Sequence, residues 1–499
     1  MEQSQNSKGQ TSYGHILKTT FMFGFVQVFK AVLSIIRNKL VAILIGTEGM
    51  GLMGIYTSTI SLLKTGAGLG VDQSAVRDVS EAFATNNKER YSRIINITTR
   101  IVLFTGLLGM IITLVMSHWL SVWTLGGTEY TVAYCFLGIA VFLDIMNDGR
   151  QALLKGTRQL KSLAYASMIG SVVGFVTAIP LLYLLGNEGI VPSLLIASAC
   201  ALLVSNYFIN KIDIEKVKVS LKDTFSEAKP MLRMGSAMML MTFLQTIVSL
   251  IVQSYIRSKG GLVDVGLFSA GNMILQSYFG VVITAFMTDY YPRIAAINND
   301  NTQLQDELNK QSKVSLLLCG PLFVLFVSFA PIIIKILYTD AFLPAVDYLY
   351  FAIYYTLITV CSNQVDLILV AKFRIKTFTI ISVIIRVLQL ILYISLYSIM
   401  GLKGLGIGVL ILGVLHYLIM TTVVKKLYGI QFDTSFYKIF LMILAMAILS
   451  SSITMLKSSM IRYILGAVLS SFALIFSFYS AKKIMNINVF NIIKKHIQK

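Results

Sequence analysis

The segment Phe21–Ile45, FMFGFVQVFKAVLSIIRNKLVAILI, is long enough to cross a bilayer as one helix and yet holds Lys30 and Arg37 within it. Residues three and four apart on a helix share a face, so Gln27, Lys30, Ser34 and Arg37 form a single polar, cationic stripe. A charge near the bilayer centre costs from about 2.5 to more than about 10 kcal/mol. Such a stripe is expected to face a watery, protein-lined cavity, and its sign asks for an anion.

Similar apolar runs recur along the chain. With 499 residues, 56% of them hydrophobic and 13% charged, and a mean hydropathy of +0.76, the sequence reads as an all-α polytopic membrane protein. Span length predicts about fourteen helices, near 16–46, 50–80, 93–116, 130–150, 162–185, 189–210, 230–257, 262–292, 313–338, 345–371, 373–399, 404–426, 436–456 and 460–481. Residues 1–15 are polar and the first apolar run is longer than a signal core, so no cleaved leader is expected and 1–15 becomes a short tail.

Charge then sorts by loop. Arg77, Lys88, Arg90 and Arg93 follow helix two, Arg150, Lys155, Arg158 and Lys161 follow helix four, and Lys211, Lys216, Lys218, Lys222, Lys229 and Arg233 follow helix six. Lys482, Lys483, Lys494, Lys495 and Lys499 form a basic tail over 482–499, whereas Arg257, Lys259, Lys403, Lys457 and Arg462 fall on the opposite side. The positive-inside rule makes both termini cytoplasmic. It also accounts for most of the formal +19 charge, which is spread over short loops instead of forming the stripe that nucleic acid would need.

The chain repeats itself. Gly51-Leu52 and Gly266-Leu267 each open a helix, and 266 − 51 = 215. The same step carries Lys161-Ser162 to Lys376-Thr377, Gly186-x-x-Gly189 to Gly401-x-x-Gly404, and Gln27, Lys30 and Ser34 to Thr242, Gln245 and Ser249. Six helices per repeat keep the same orientation in both halves, so an axis along the membrane normal is expected to relate them. This gives a first lobe over 16–210, a basic linker over 211–229, a second lobe over 230–426, and two further helices over 436–481.

Two such lobes suit an alternating-access carrier with a site between them. The first wall of that site offers Gln27, Lys30, Ser34, Arg37, Thr57, Ser61 and Lys64; the second offers Thr242, Gln245, Thr246, Ser249, Gln253, Asn272 and Gln276. Cations suit phosphate, and amides and hydroxyls suit sugars, so a glycosylated phosphate or diphosphate fits both walls. The alternative for the neutral residues is helix-to-helix bonding, and for the cations snorkelling.

Among the acids in apolar runs, Asp72, Asp144, Asp148, Asp289 and Asp366, the sites near Arg150 and Arg293 suggest structural pairing. Asp366 is the candidate for coupling to an H⁺ or Na⁺ gradient. Arg386 shares a face with Ser382, Gln389, Tyr393 and Tyr397, and either lines the second lobe or bonds a neighbouring helix. Cys135, Cys200, Cys319 and Cys361 are isolated, the four histidines lack ligand spacing, and no glycine-rich phosphate loop is present, so neither metal nor cofactor is expected.

The segments Gly46-Thr-Glu-Gly-Met-Gly51-Leu-Met-Gly-Ile-Tyr56 and Gly68-Leu-Gly-Val-Asp-Gln-Ser-Ala-Val-Arg77, followed by Glu81-Ala82, resemble the first conserved region of polysaccharide and O-antigen flippases. Asp289-Tyr-Tyr-Pro-Arg293 is similar to the signature of their second half. These flippases belong to the multidrug/oligosaccharidyl-lipid/polysaccharide exporter superfamily. The resemblance implies a non-enzymatic flippase that moves an undecaprenyl-diphosphate-linked oligosaccharide, such as an O-antigen, capsule or exopolysaccharide repeat unit, from the cytoplasmic to the periplasmic leaflet of a bacterial inner membrane. It further implies membrane lipids and the polysaccharide polymerase and chain-length machinery as partners, and no nucleic acid. Two rivals stand beside it. A multidrug exporter of the same superfamily would need the opposite cavity sign for cationic drugs. A membrane glycosyltransferase or polymerase would need larger external loops.

Overall fold

A computed structural model describes residues 2–485 apart from Asn86, Lys216, Lys218 and Lys457, with side chains from Val26 to Lys483 except those of Val28, Tyr278 and Val281. The basic-tail residues Lys494, Lys495 and Lys499, and the loop lysines Lys216, Lys218 and Lys457, lie outside the described residues. The described chain is helical, with no strand. Among the described residues, nine helical stretches, from Lys88–Leu125 to Ser459–Lys483, are long and apolar enough to cross a membrane.

Three pairs of helices expected as separate spans follow each other across a single non-helical residue. Helix α1 covers Glu2–Gly68 with a kink at Gly46, α7 covers Leu221–Ile274 with a kink at Gly261, and α11 covers Ile375–Tyr428 with a kink at Gly401. Each kink is a single residue at positive φ, where glycine alone avoids a steric penalty, so the chain turns without the loop that the sequence suggests. The second predicted span, 50–80, is interrupted: α1 ends at Gly68, Leu69 and Gly70 take positive φ, and α2 (Val71–Ala84) restarts there. Residues 2–15 of the predicted tail are part of α1, which no proline interrupts.

The chain divides into two compact units, Met1–Gly266 and Leu267–Lys499. In the first, α3 (Lys88–Leu120) packs on α4 (Thr131–Gly156), α4 on α6 (Ile190–Ile209), α5 (Leu160–Leu185) on α6, and α1 against α3, α4 and α5. A cluster of Val79, Ile95, Leu153, Leu154, Leu163 and Ile209 ties α2 to α6 together. The expected linker is half helix, since α7 begins at Leu221. Its side chains bond α3: Asp213 pairs with Lys88, Glu227 holds Arg93 at 2.5 Å, and Thr224 accepts from Arg100.

In the second unit α8 (Gly280–Ala296) precedes a long α9 (Asn301–Leu337), which packs against α10 (Ala345–Ala371), α12 (Thr434–Thr454) and α13 (Ser459–Met485), while α10 packs on α11. Some buried polar groups are satisfied between helices and at a cap. Gln364 bonds Ser312 and Ser315, Ser328 bonds Ser450 at 2.7 Å, and Asp433 caps α12 through the Phe436 amide. Such bonds between apolar helices contribute about 0.6 kcal/mol each on average.

The 215-residue repeat is written into the backbone. Positive φ occurs at Gly46 and Gly261, at Arg158 and Phe373, and at Gly186 and Gly401, and 261 − 46, 373 − 158 and 401 − 186 all equal 215. The turns around Arg158 and Phe373 also share their bonds, with Gln159 donating to the Leu154 carbonyl and Arg374 to that of Leu369, both at 2.9 Å.

Candidate functional site

The stripe on α1 opens into a cavity of about 180 Å³ bounded by α1, α5 and α6. Lys30, Ser34 and Arg37 line it from α1, and Gly170, Ser171 and Phe175 from α5. Gln27, though on the same stripe, is exposed and lies off the cavity. Asn38 donates to the Ser34 hydroxyl at 3.4 Å and orients it. Among the described residues the lining contains two cations and no carboxylate, and Lys155 of α4 lies within electrostatic reach of Lys30. Chemically this is an anion site: a point charge, a planar guanidinium able to grip two oxygens, and hydroxyls beside them.

A second cavity, about 240 Å³, lies farther along α1. Ser61, Lys64 and Thr65 line it together with Asp72 and Gln73 of α2, Asp148 of α4, and Met239 and Thr242 of α7. Lys64 Nζ lies 2.9 Å from Asp148 Oδ2, and Asp72 and Asp144 are also within its electrostatic reach. The first wall is therefore not uniformly cationic. Asp148 pairs with Lys64 instead of Arg150 because residues two apart on a helix do not face each other; Arg150 donates to Thr99 at 3.2 Å. Thr57 turns its hydroxyl back to the Met53 carbonyl at 2.8 Å.

The neutral residues are spread more widely. On α7, Gln245 is exposed, while buried Gln253 donates to Ser249 at 3.5 Å and leaves its own Oε1 without a hydrogen bond. In the second unit Asn272 accepts from the Tyr348 hydroxyl at 2.7 Å, and Gln276 is exposed in a π-helical turn, Leu275–Phe279. Asp366 Oδ1 lies 3.4 Å from Nε2 of His416, too poorly aligned to count as a hydrogen bond. Arg386 donates to Gln389 at 2.7 Å, and Tyr355 lies within electrostatic reach of both Arg386 and Asp366. Asp289 pairs with Arg293 at 2.8 Å, which also holds Glu307 and Gln311.

Sequence reasoning missed Ser171 and Phe175, which lie in an ordinary apolar span. The repeat held the signal: 386 − 171 = 215, so the noted Arg386 stands at the position equivalent to Ser171.

Residues 40–347 match the family model described as a polysaccharide biosynthesis protein. No curated protein sequence matches the chain. Among solved structures, the chain is similar to the lipid II flippase MurJ in an inward closed conformation, with 17% identity and a TM-score of 0.70 over 93% of this chain and 100% of that one. It is also similar to an inward-facing multidrug resistance MATE transporter of the MOP superfamily, with 16% identity and a TM-score of 0.63 over 80% and 95%. A MOP superfamily transporter from Pyrococcus furiosus, in which a reversed polarity of the binding pocket suggests a different function, matches at 15% identity and a TM-score of 0.56 over 82% and 96%. These likenesses establish the fold.

Proposed function

Because the chain belongs to the family of polysaccharide biosynthesis proteins, we propose that it is a flippase for an undecaprenyl-diphosphate-linked oligosaccharide, an O-antigen, capsule or exopolysaccharide repeat unit. It works by alternating access in a bacterial inner membrane, with about fourteen spans and both termini cytoplasmic. The observation that supports this reading is the polarity of the α1–α5–α6 cavity, where Lys30 and Arg37 meet no carboxylate among the described residues. A diphosphate carries the charge such a cavity attracts, and organic-cation drugs carry the opposite one. The protein performs no bond chemistry. It removes the cost of taking sugar and phosphate through hydrocarbon by giving the headgroup a polar route while the lipid chain stays in the bilayer.

Within this reading the Lys64 pocket serves the glycan. Its carboxylates, amide and hydroxyls are hydrogen-bonding partners for sugar hydroxyls, and the Lys64–Asp148 pair keeps it near neutrality beside the cationic cavity. Asp366, beside His416, is the place for an ion gradient to act. Reconstitution into liposomes tests the reading. The protein is expected to move a fluorescent undecaprenyl-diphosphate oligosaccharide between leaflets and to leave a cationic dye behind; dye transport without lipid movement would replace the flippase by an exporter.

A further inference from the structure

Beside the Lys64 pocket lies a second cavity of opposite character. It measures about 530 Å³ and is lined by apolar side chains, among them Leu63 and Gly66 of α1, Ile112 and Trp119 of α3, Trp123, and Phe243 of α7. The two cavities use alternate faces of the same helices. On α1, Ser61, Lys64 and Thr65 serve the polar one and Leu62, Leu63 and Gly66 the apolar one; on α7, Thr242 serves the first and its neighbour Phe243 the second. At their junction the Phe243 ring lies against Gly66, where a Cβ would come within 2.8 Å of ring Cε2.

We infer that this groove holds the hydrocarbon chain of the same polyprenyl-linked lipid at the stage of its passage when the phosphate group lies at Lys64, with the chain leaving across the Gly66–Phe243 contact. The inference rests on the flippase reading for the identity of the lipid. The adjacency of the two cavities on neighbouring residues of α1 and α7 selects an amphipathic ligand: one end must be hydrogen-bonded, and the other must replace apolar contacts made by aromatic rings. A flexible chain passes a single ring that swings aside, whereas a rigid polycycle needs the wall itself to move. Trp119 and Trp123 are 62% and 49% exposed, a pattern that an interfacial anchor would also show. An anchor, however, stands on a convex surface, and these two line a hollow. A π-helical turn, Ser121–Leu125, ends α3 and carries Trp123.

The sequence contains two tryptophans and both line this groove, so intrinsic emission reports on it alone. The full-length protein in nanodiscs of brominated-chain phosphatidylcholine would be titrated with undecaprenyl phosphate, and with geranyl phosphate as the short-chain control. Saturable recovery of tryptophan emission by the long-chain lipid and none by the short one is expected. Phe243→Ala is expected to weaken the half-saturation point by about tenfold, and Gly66→Val, which blocks the junction, to abolish recovery. Because Gly66→Val threatens folding, the Phe243→Ala shift stands as the independent check. Quenching indifferent to undecaprenyl phosphate, or equal recovery by geranyl phosphate, would make the groove an ordinary lipid-facing surface and overturn the inference. If that happened while reconstituted protein still flipped the glycolipid, the groove would fail and the flippase reading would stand. Chain-dependent recovery without any flipping would confirm the groove and defeat the transport reading.

Discussion

Gly51 and Gly266 make one contact from two sides: a Cβ on Gly51 would strike the carbonyl of Leu262, and a Cβ on Gly266 would strike the carbonyl of Thr47. The pairs are related by the repeat, since 266 − 51 and 262 − 47 are both 215. Backbones of α1 and α7 thus touch just past their kinks, where any side chain would hold them apart. Gly51→Ala is expected to cost about 2 kcal/mol, the scale of overpacking a tight contact, and Gly266→Ala a similar amount. Thermal unfolding in detergent checks this, and an unchanged midpoint in both variants would show that the helices separate freely.

The Lys64–Asp148 pair stands one third exposed in a polar pocket, between the surface and buried limits. Asp148→Asn is expected to destabilise by about 1 kcal/mol by removing the nearest of the lysine's acidic neighbours, Asp72 and Asp144 remaining. The exchange Lys64→Asp with Asp148→Lys should regain most of that loss. A double-mutant cycle on thermal unfolding reads the coupling directly, and strictly additive losses would mean that the two charges ignore each other.

Ser171 faces Lys30 and Arg37 from α5. Ser171→Asp would supply the carboxylate that this cavity lacks and compete for both cations. Flipping is expected to fall by about tenfold, the effect of roughly 1.4 kcal/mol, with Ser171→Ala near wild type. Transport rates at matched reconstitution decide it; equal rates in the Asp variant would place the substrate elsewhere.

Phe373 holds positive φ with its side chain 77% exposed, so it bears backbone strain with little packing in return. Glycine there relieves about 1–2 kcal/mol of strain and adds back about 0.5–1 kcal/mol of unfolded-chain entropy. Phe373→Gly should therefore be slightly stabilising and Phe373→Val destabilising by about 1 kcal/mol, since a branched Cβ tolerates this region least. Unfolding midpoints in the opposite order would refute the strain argument.

These relationships were unequally visible in the sequence. Helical spans and the repeat follow from apolar run length and glycine spacing, and two of the three recurring turns carry their own marks, at Gly46 and Gly261 and at Gly186 and Gly401. The strained turn at Arg158 and Phe373 carries none, because neither residue type favours positive φ. Stripe analysis places Lys30, Ser34 and Arg37 on one face, but one helix alone cannot reveal where the cavity ends, so it could not separate Gln27 from them. Pairing was the least legible feature. Asp148 has Arg150 for a sequence neighbour and Lys64 for a spatial one, and only the packing of α1 against α4 decides between them. Likewise the acids at 213–227 read as linker until α3 supplies Lys88 and Arg93 to hold them.

The central claim is that an anionic lipid headgroup passes the α1–α5–α6 cavity. The direct measurement is leaflet exchange of a fluorescent undecaprenyl-diphosphate oligosaccharide in proteoliposomes, comparing wild type with Lys30→Ala, Arg37→Ala and Arg37→Lys at matched insertion and folding. Loss of flipping in both alanine variants, with partial retention in Arg37→Lys, is the predicted result, because lysine keeps the charge and forfeits the two-oxygen grip. Wild-type rates in both alanine variants would contradict the claim and leave Lys30 and Arg37 as residues of packing and placement.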